Sequence, residues 1–209
     1  MSYPSPAALY RGAAAAGVGS AAILLINAAK RAEIISTTAL TQLAAPLAQI
    51  LALALITGLY LAFGRRAGRF GLVAYLLNAF ALIALVGVEF VINLVFAELP
   101  TSTIDALRDG PLGVALTVVS MSFLIGTIAF AVAMIRSREV PIAPLALYAI
   151  GAVPVSFRAF VPEAALDLGL VALAVGAGWL GVWFFTRASA VRTVANTPFS
   201  LATADARHG

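Results

Sequence analysis

Six long apolar runs dominate the sequence, and the connections between them are alternately rich in arginine and acidic or balanced in charge. A helix rises about 1.5 Å per residue, so roughly 20 apolar residues are needed to cross the ~30 Å hydrocarbon core of a bilayer. Every run reaches or approaches that length. The pattern therefore predicts an all-α polytopic membrane bundle of six transmembrane helices, near residues 12–29, 40–63, 71–97, 111–135, 142–161 and 166–186.

The charges in the connections predict the orientation of this bundle. Arginine is concentrated in every second connection and in the final tail, at Arg65, Arg66, Arg69, Arg136, Arg138, Arg187 and Arg192. The intervening connections carry Lys30, Arg31, Glu33, Glu98, Asp105, Arg108, Asp109, Glu163 and Asp167. Basic residues close to membrane spans stay on the cytoplasmic side. We therefore expect both termini in the cytoplasm, and an Ala- and Arg-rich composition is typical of a bacterial protein, which places the chain in the inner membrane.

The chain has no room for a soluble module. It is 62% hydrophobic and 11% charged over 209 residues, a balance that water-soluble domains do not show. We predict one transmembrane domain over residues 1–189 and a mobile cytoplasmic tail over 190–209. The net charge of +4 comes from arginines beside the spans and does not indicate nucleic-acid binding. Alternatively, the first run is a signal peptide that is removed.

The composition also limits the chemistry. The chain has no cysteine, and its one histidine, His208, is the penultimate residue. Thiolate or histidine metal sites inside the bundle, disulfides and histidine-based catalytic triads are therefore excluded. We expect neither a metal nor a cofactor.

Small residues four positions apart predict close helix packing, because such residues let helix backbones approach one another in lipid. Ala13 and Gly17 on run one and Ala177 and Gly181 on run six show this spacing. Packing within one chain is the favoured interpretation, and a dimerisation surface is the alternative.

Two prolines predict irregular helices. Pro46 in run two and Pro154 in run five should each kink their helix, since proline lacks the backbone donor.

The longest outer connection, 100–110, has a capping-box-like spacing from Ser102 to Asp105 that predicts one turn of interfacial helix.

Ionisable residues inside membrane spans are costly, so they are functional candidates. Glu89 on run three and Arg158 on run five are the two that qualify, at similar heights in the outer part of the bilayer. On run three the spacing of Asn78, Glu89 and Asn93 places them on one helix face. The predicted polar cluster in the outer half of the bundle consists of Glu89, Arg158, Asn93, Asn78, Asn27 and Gln49.

Three functions are compatible with this cluster. It could bind or transport a small polar or amphiphilic molecule. Alternatively, Glu89 and Arg158 form a structural ion pair in a non-transporting subunit that associates with a membrane protein partner, or Arg158 snorkels to the outer headgroups. A membrane-embedded enzyme using Glu89 as a general acid on a lipid or isoprenoid is less favoured, because no obvious second catalytic group accompanies it.

The last third of the chain resembles an uncharacterised, domain-of-unknown-function family of small bacterial integral membrane proteins. A basic turn with a proline spans Ile135 to Pro141, a helix rich in small residues includes Leu147 to Ala152, and a tryptophan pattern closes the final helix over Gly178 to Phe185. The resemblance implies fold and location and brings no established activity. Family members carry an acidic residue early in the final helix, where this chain has only small and apolar residues over 174–177. The six-helix layout is also similar, generically, to membrane subunits of uptake systems.

Overall fold

Helices form nearly all of the described chain. The computed structural model describes the backbone of residues 6–195 and the side chains of residues 7–188, and no strand occurs within that part. The α-helices are α1 (Pro6–Arg31), α2 (Ala39–Ala44), α3 (Leu47–Phe63), α4 (Gly68–Phe90), α5 (Thr101–Arg108), α6 (Pro111–Ser137), α7 (Ile142–Ser156) and α8 (Glu163–Ala195). The predicted all-α class is confirmed.

Four helical segments of the described chain are long and apolar enough to cross a membrane. They are Ala7–Arg31, Ala39–Glu98, Pro111–Ser137 and Glu163–Ala188. The second is 60 residues long, and it contains α3 and α4 packed against each other around a 3-10 turn at Gly64–Ala67. Gly68 ends that turn with a φ of 60°, which glycine adopts without steric cost. The six predicted runs thus correspond to α1, to α2 with α3, and to α4, α6, α7 and α8.

Run two is interrupted at its proline, as predicted. α2 ends at Ala44 and α3 begins at Leu47, so Pro46 lies between the two helices. Thr38 starts α2 with a capping box in which its side chain accepts a hydrogen bond from the Thr41 backbone. The missing backbone donor of Pro46 therefore separates a short entry helix from the main span.

Run five forms a shorter helix than predicted. α7 has 15 residues and ends at Ser156, while residues 157–160 form turns. The prediction of helix to residue 161 was wrong because two prolines act there. Pro154 lies in the last turn of α7 without a backbone donor, and Pro162 disfavours helical backbone in the residue before it. At about 1.5 Å per residue, α7 is roughly 22 Å long.

Run three loses its regular helix at the end facing away from the arginine-rich connections. α4 gives way at Val91–Val95 to a π-helical segment and at Phe96–Glu98 to a 3-10 turn. The prediction of one continuous helix over 71–97 therefore holds only as far as Phe90. Single π-helical turns inside α-helices are frequent at functional sites, and this one includes Asn93.

The two remaining predictions concern the chain outside the spans. The helical turn expected in the 100–110 connection is present as α5, which has eight residues. Its N-cap is Pro100, so Ser102 lies inside the helix and does not cap it. α8 continues to Ala195, so residues 190–195 of the predicted tail are helical. The rest of that tail, 196–209 with His208, lies outside the described residues.

Six helices are packed as a closed ring in the order α1, α3, α4, α6, α7 and α8, with α8 returning to α1. Each helix packs mainly against its two neighbours in this order.

Glycines bring the ring's last and first helices into close contact. A Cβ on Gly181 of α8 would lie 2.7 Å from the carbonyl oxygen of Ala14, and a Cβ on Gly17 would lie 3.2 Å from the Gly181 Cα. The small residues of runs one and six therefore face each other within one chain.

The ring has one end where the arginines gather and where its interior is filled, here called the arginine-rich end. Arg66 pairs with Glu139, and the Arg136 guanidinium lies 4.7 Å from the ring centroid of Phe70. Between the helices, the interior is packed with buried large side chains, namely Leu59, Phe130, Met134, Leu145 and Phe184. The interior of the ring is therefore tightly packed at this end, whereas the other end contains a cavity.

Candidate functional site

A cavity of about 120 Å³ occupies the interior of the ring at the end opposite the arginine-rich end. All six ring helices, together with the segments that extend α4 and α7, contribute to its wall. Along α1 the wall runs from Ser20 to Lys30 and Arg31, ten residues that correspond to about 15 Å of depth. The volume is sufficient for several water molecules or a small chemical group.

Five of the six predicted cluster residues line this one cavity. They are Glu89, Arg158, Asn93, Asn27 and Gln49. They come from four separate parts of the chain, because Glu89 and Asn93 share one run, and the ring closure brings these four parts together. The sixth, Asn78, does not line the cavity.

The Glu89 carboxylate accepts a hydrogen bond from the Asn93 amide, which in turn accepts one from Lys30. The Asn93 Nδ2 group donates to the Glu89 Oε2 atom at 2.9 Å and to the Glu89 backbone oxygen at 3.0 Å. The Lys30 ammonium donates to the Asn93 Oδ1 atom at 2.9 Å. A hydrogen-bonded chain from α1 to the end of α4 therefore crosses one wall of the cavity.

Arg158 is not in a direct ion pair with Glu89. Among the described residues, no Arg158 nitrogen lies within 4.0 Å of a carboxylate oxygen. Both side chains line the cavity, at separate places on its wall. The alternative interpretation of a contact ion pair that fixes the helix register is thus not what the structure shows.

Arg31 forms a clamp at the mouth of the cavity. Its guanidinium pairs with Glu163, and its Nε atom lies 3.3 Å from the Asp167 Oδ1 atom. The Arg31 side chain remains 25% exposed, so the mouth reaches the surface. The clamp joins the end of α1 to the start of α8.

The sequence interpretation missed Lys30 and Arg31 as wall residues because it assigned both to an outer connection. One signal could have identified Lys30 and Arg31: they follow Asn27 by three and four positions, which places all three on one helix face. Sharing a helix face with the buried amide Asn27 predicts a wall position for Lys30 and Arg31 better than their nearness to a loop predicts an outer one.

The floor of the cavity is a buried hydrogen-bond network. Tyr148 lines the cavity, and its hydroxyl accepts a long hydrogen bond of 3.5 Å from the Asn78 Nδ2 group. The Thr127 hydroxyl donates to the Asn78 Oδ1 atom at 3.2 Å. Asn78 and Thr127 are fully buried, so the predicted residue Asn78 lies behind the floor and supports it.

Among the described residues that line the two cavities, two buried polar atoms have neither a hydrogen bond nor an ion pair. The Asn27 Oδ1 atom lacks a hydrogen bond although Asn27 is only 9% exposed, and the Ser156 Oγ atom lacks one although Ser156 is 7% exposed. Buried polar groups are nearly always satisfied in proteins, by protein, water or ligand. Asn27 lines the cavity, and Ser156 lines a second cavity beside it.

The second cavity has a volume of about 300 Å³ and a mostly apolar wall. It lies between the end of α4, the first turns of α6 and the residues that follow α7. Four residues line both cavities, namely Val88, Ile92, Ser120 and Arg158. The polar cavity within the ring and the apolar cavity beside it therefore share a wall that includes the Arg158 side chain.

The walls of the two cavities carry few acidic groups. Glu89 is the single acidic residue among their described wall residues. Within the described part of the chain, no group of three His, Cys, Asp or Glu side chains could hold a metal ion.

These features define the chain as an all-helical protein with several helices apolar enough for a membrane and a charged cavity at one end of its helix ring. No family model, no curated protein and no solved structure matches the chain.

Proposed function

We propose that this chain is a six-helix inner-membrane protein of bacteria that binds a small polar or amphiphilic molecule in the cavity of its helix ring. The observation that carries the proposal is the wall of that cavity. It assembles Lys30, Glu89 and Arg158 from three parts of the ring around open space, and it leaves the Asn27 oxygen without a partner. A ligand group or water that occupied the cavity would supply that partner.

The charges support an orientation with the cavity open to the outside. Arginines gather at the filled end, and the positive-inside rule places that end in the cytoplasm. The mouth clamp and the acidic connections then face outward. Because α7 is short, it spans only part of the membrane thickness, and the turns at residues 157–160 follow it on the outer side.

A scaffold subunit is the weaker alternative. That interpretation relied on a direct pair between Glu89 and Arg158, whereas the two groups lie apart on the wall of a cavity. A purely structural polar cluster would be expected to satisfy its own donors and acceptors. The filled arginine-rich end indicates binding from one side; transport would require that end to open.

The lack of cysteine makes a clean accessibility experiment available, because any introduced cysteine is unique. We would compare Ser120→Cys in the cavity wall with Ser102→Cys on exposed α5 and with Ser137→Cys, which is buried at the arginine-rich end. Intact cells would be treated with sulfonatoethyl methanethiosulfonate, an anionic reagent that does not cross membranes.

We expect fast labelling of the α5 cysteine, slower labelling of the cavity cysteine and none of the cysteine at the arginine-rich end. An unreactive cavity cysteine beside a reactive α5 cysteine would overturn the open cavity. Labelling of the buried inner cysteine from outside, without labelling on α5, would overturn the orientation.

A further inference from the structure

We infer that the ligand is a single-chain anionic amphiphile, whose head group lies between Lys30 and Arg158 and whose alkyl chain fills the neighbouring apolar cavity. The inference rests on the proposed function and deepens it by naming the ligand's chemical class. Three observations carry it: the charge left over in the cavity wall, the position of Arg158 between the two cavities, and the unpartnered polar atoms in both.

The cavity wall has an excess of positive charge. Its ionisable groups other than Tyr148 are Lys30, Arg31, Glu89 and Arg158. Arg31 is already paired with Glu163 and Asp167, two mouth carboxylates that do not line the cavity. With these two carboxylates included the six charges sum to zero, so the excess is local to the interior, where Lys30 and Arg158 face the single carboxylate of Glu89. Such a local imbalance is costly at membrane depth, and a singly charged anionic group between Lys30 and Arg158 would balance it.

Arg158 is placed where a head group and a chain would meet. Its side chain lines the polar cavity and also the apolar one. A guanidinium binds carboxylate or phosphate oxygens with two parallel hydrogen bonds, and no described carboxylate occupies Arg158 in this way. An anionic group bound here would have the apolar cavity directly beside it.

The apolar cavity suits one alkyl chain. Ile92, Phe96, Leu116 and Met121 contribute to its wall. Arg108 also lines it, with its guanidinium 5.5 Å from the ring centroid of Phe96. Its volume of about 300 Å³ is at the lower end of the roughly 300–1,000 Å³ typical of small-molecule sites. A bilayer lipid with two chains would need a larger space than this.

The unpartnered polar atoms mark where the ligand's polar end would lie. The Ser156 hydroxyl lines the apolar cavity close to the shared wall, two residues before Arg158, and can donate to an anionic oxygen. The Asn27 amide lines the polar cavity one turn below Lys30. Each unpartnered group therefore lies within three residues of one of the two cations.

The test is a binding measurement on the full-length protein in nanodiscs of zwitterionic phosphatidylcholine. The probe is radiolabelled dodecyl phosphate, with dodecyltrimethylammonium, dodecanol, inorganic phosphate and phosphatidylglycerol as unlabelled competitors. We expect saturable binding of one dodecyl phosphate per chain. We also expect the cationic, neutral and chainless competitors to be at least tenfold weaker than unlabelled dodecyl phosphate.

Two variants separate the head-group site from the chain site. Arg158→Gln removes the guanidinium, and Leu116→Trp fills the apolar cavity; each should weaken dodecyl phosphate binding at least tenfold. Arg138→Gln, at the arginine-rich end, is the matched control and should bind as the unmodified chain does. If the Arg158 variant does not fold, Leu116→Trp still tests the chain site.

Each possible result bears on one part of the inference. Equal competition by dodecanol or dodecyltrimethylammonium would overturn the anionic head group, and equal competition by phosphatidylglycerol would overturn the single chain. Unchanged affinity in both cavity variants would overturn the site. If cavity cysteine 120 is labelled from outside but no saturable binding is found, this inference fails while the open cavity stands; an unlabelled cavity removes both.

Discussion

Substituting Gly181 by alanine should separate α1 from α8 and destabilise the ring. The added Cβ would lie 2.7 Å from the Ala14 oxygen and 3.0 Å from the Val18 nitrogen. Both are backbone atoms, so α1 must retreat by roughly 0.7 Å to reach the 3.4 Å of ordinary contact. A gap of about 0.5–1 Å already forfeits a quarter to a half of the dispersion energy of a contact.

The expected net loss is about 1–2 kcal/mol in the free energy of unfolding. Overpacking costs about 1–3 kcal/mol, and the better helix propensity of alanine over glycine returns up to about 1 kcal/mol. The cost falls in the upper half of its range because neither backbone contact can rotate away.

Gly87→Ala is the matched control. A Cβ on Gly87 would meet nothing within 4 Å, so this variant should be neutral or more stable by up to about 1 kcal/mol. Unfolding in sodium dodecyl sulfate can be followed by the fluorescence of Trp183, whose ring centroid lies 5.5 Å from that of Phe63 on α3. Equal unfolding free energies for the two variants would refute the argument that α1 and α8 are limited by backbone contact.

Three smaller predictions use the same unfolding assay. Glu139→Gln removes the partner of Arg66, whose side chain is 65% exposed, and should cost less than about 1 kcal/mol; a larger loss would show that this pair is not screened. Tyr148→Phe leaves the Asn78 donor unpaired and should cost about 1 kcal/mol, the lower end of the range for a buried unpaired group, because the lost bond is 3.5 Å long; no loss would show that the floor is hydrated. Pro46→Ala restores a backbone donor between α2 and α3 and should raise the helix signal in circular dichroism by a few residues; an unchanged signal would mean that other contacts set the break.

The main features of the fold could be predicted from the sequence because they depend on one-dimensional properties. Run length and loop charge identify the helices, and the spacing of small residues identifies the α1–α8 contact. Proline at position 46 marks an interruption. What could not be predicted is where each helix stops: α7 ends under the joint influence of Pro154 and Pro162, and the π-helical segment at Val91–Val95 has no proline or glycine to announce it.

The candidate site was predictable to the extent that buried polar residues must face protein. That reasoning placed Glu89, Asn93 and Asn27 together correctly, since each lies on a helix face that lipid would penalise. It placed Asn78 in the cavity wall, whereas Asn78 lies behind Tyr148, which forms the floor of the cavity. Helix-face geometry alone does not reveal the depth of that floor. The apolar cavity could not be predicted from the sequence for a similar reason. It lies between α4, α6 and the end of α7, and the spacing of these helices is set only in the assembled ring.

In the membrane orientation proposed above, the short length of α7 has a consequence for the surrounding lipid. A helix of 15 residues is about 8 Å shorter than a typical ~30 Å hydrocarbon layer, and membranes accommodate such a mismatch by local thinning. The leaflet beside the turn at residues 157–160 would then be drawn inward. Lipid phosphates and water would approach Arg158 more closely than its position in the sequence implies, and the membrane itself would form a shallow funnel toward the guanidinium.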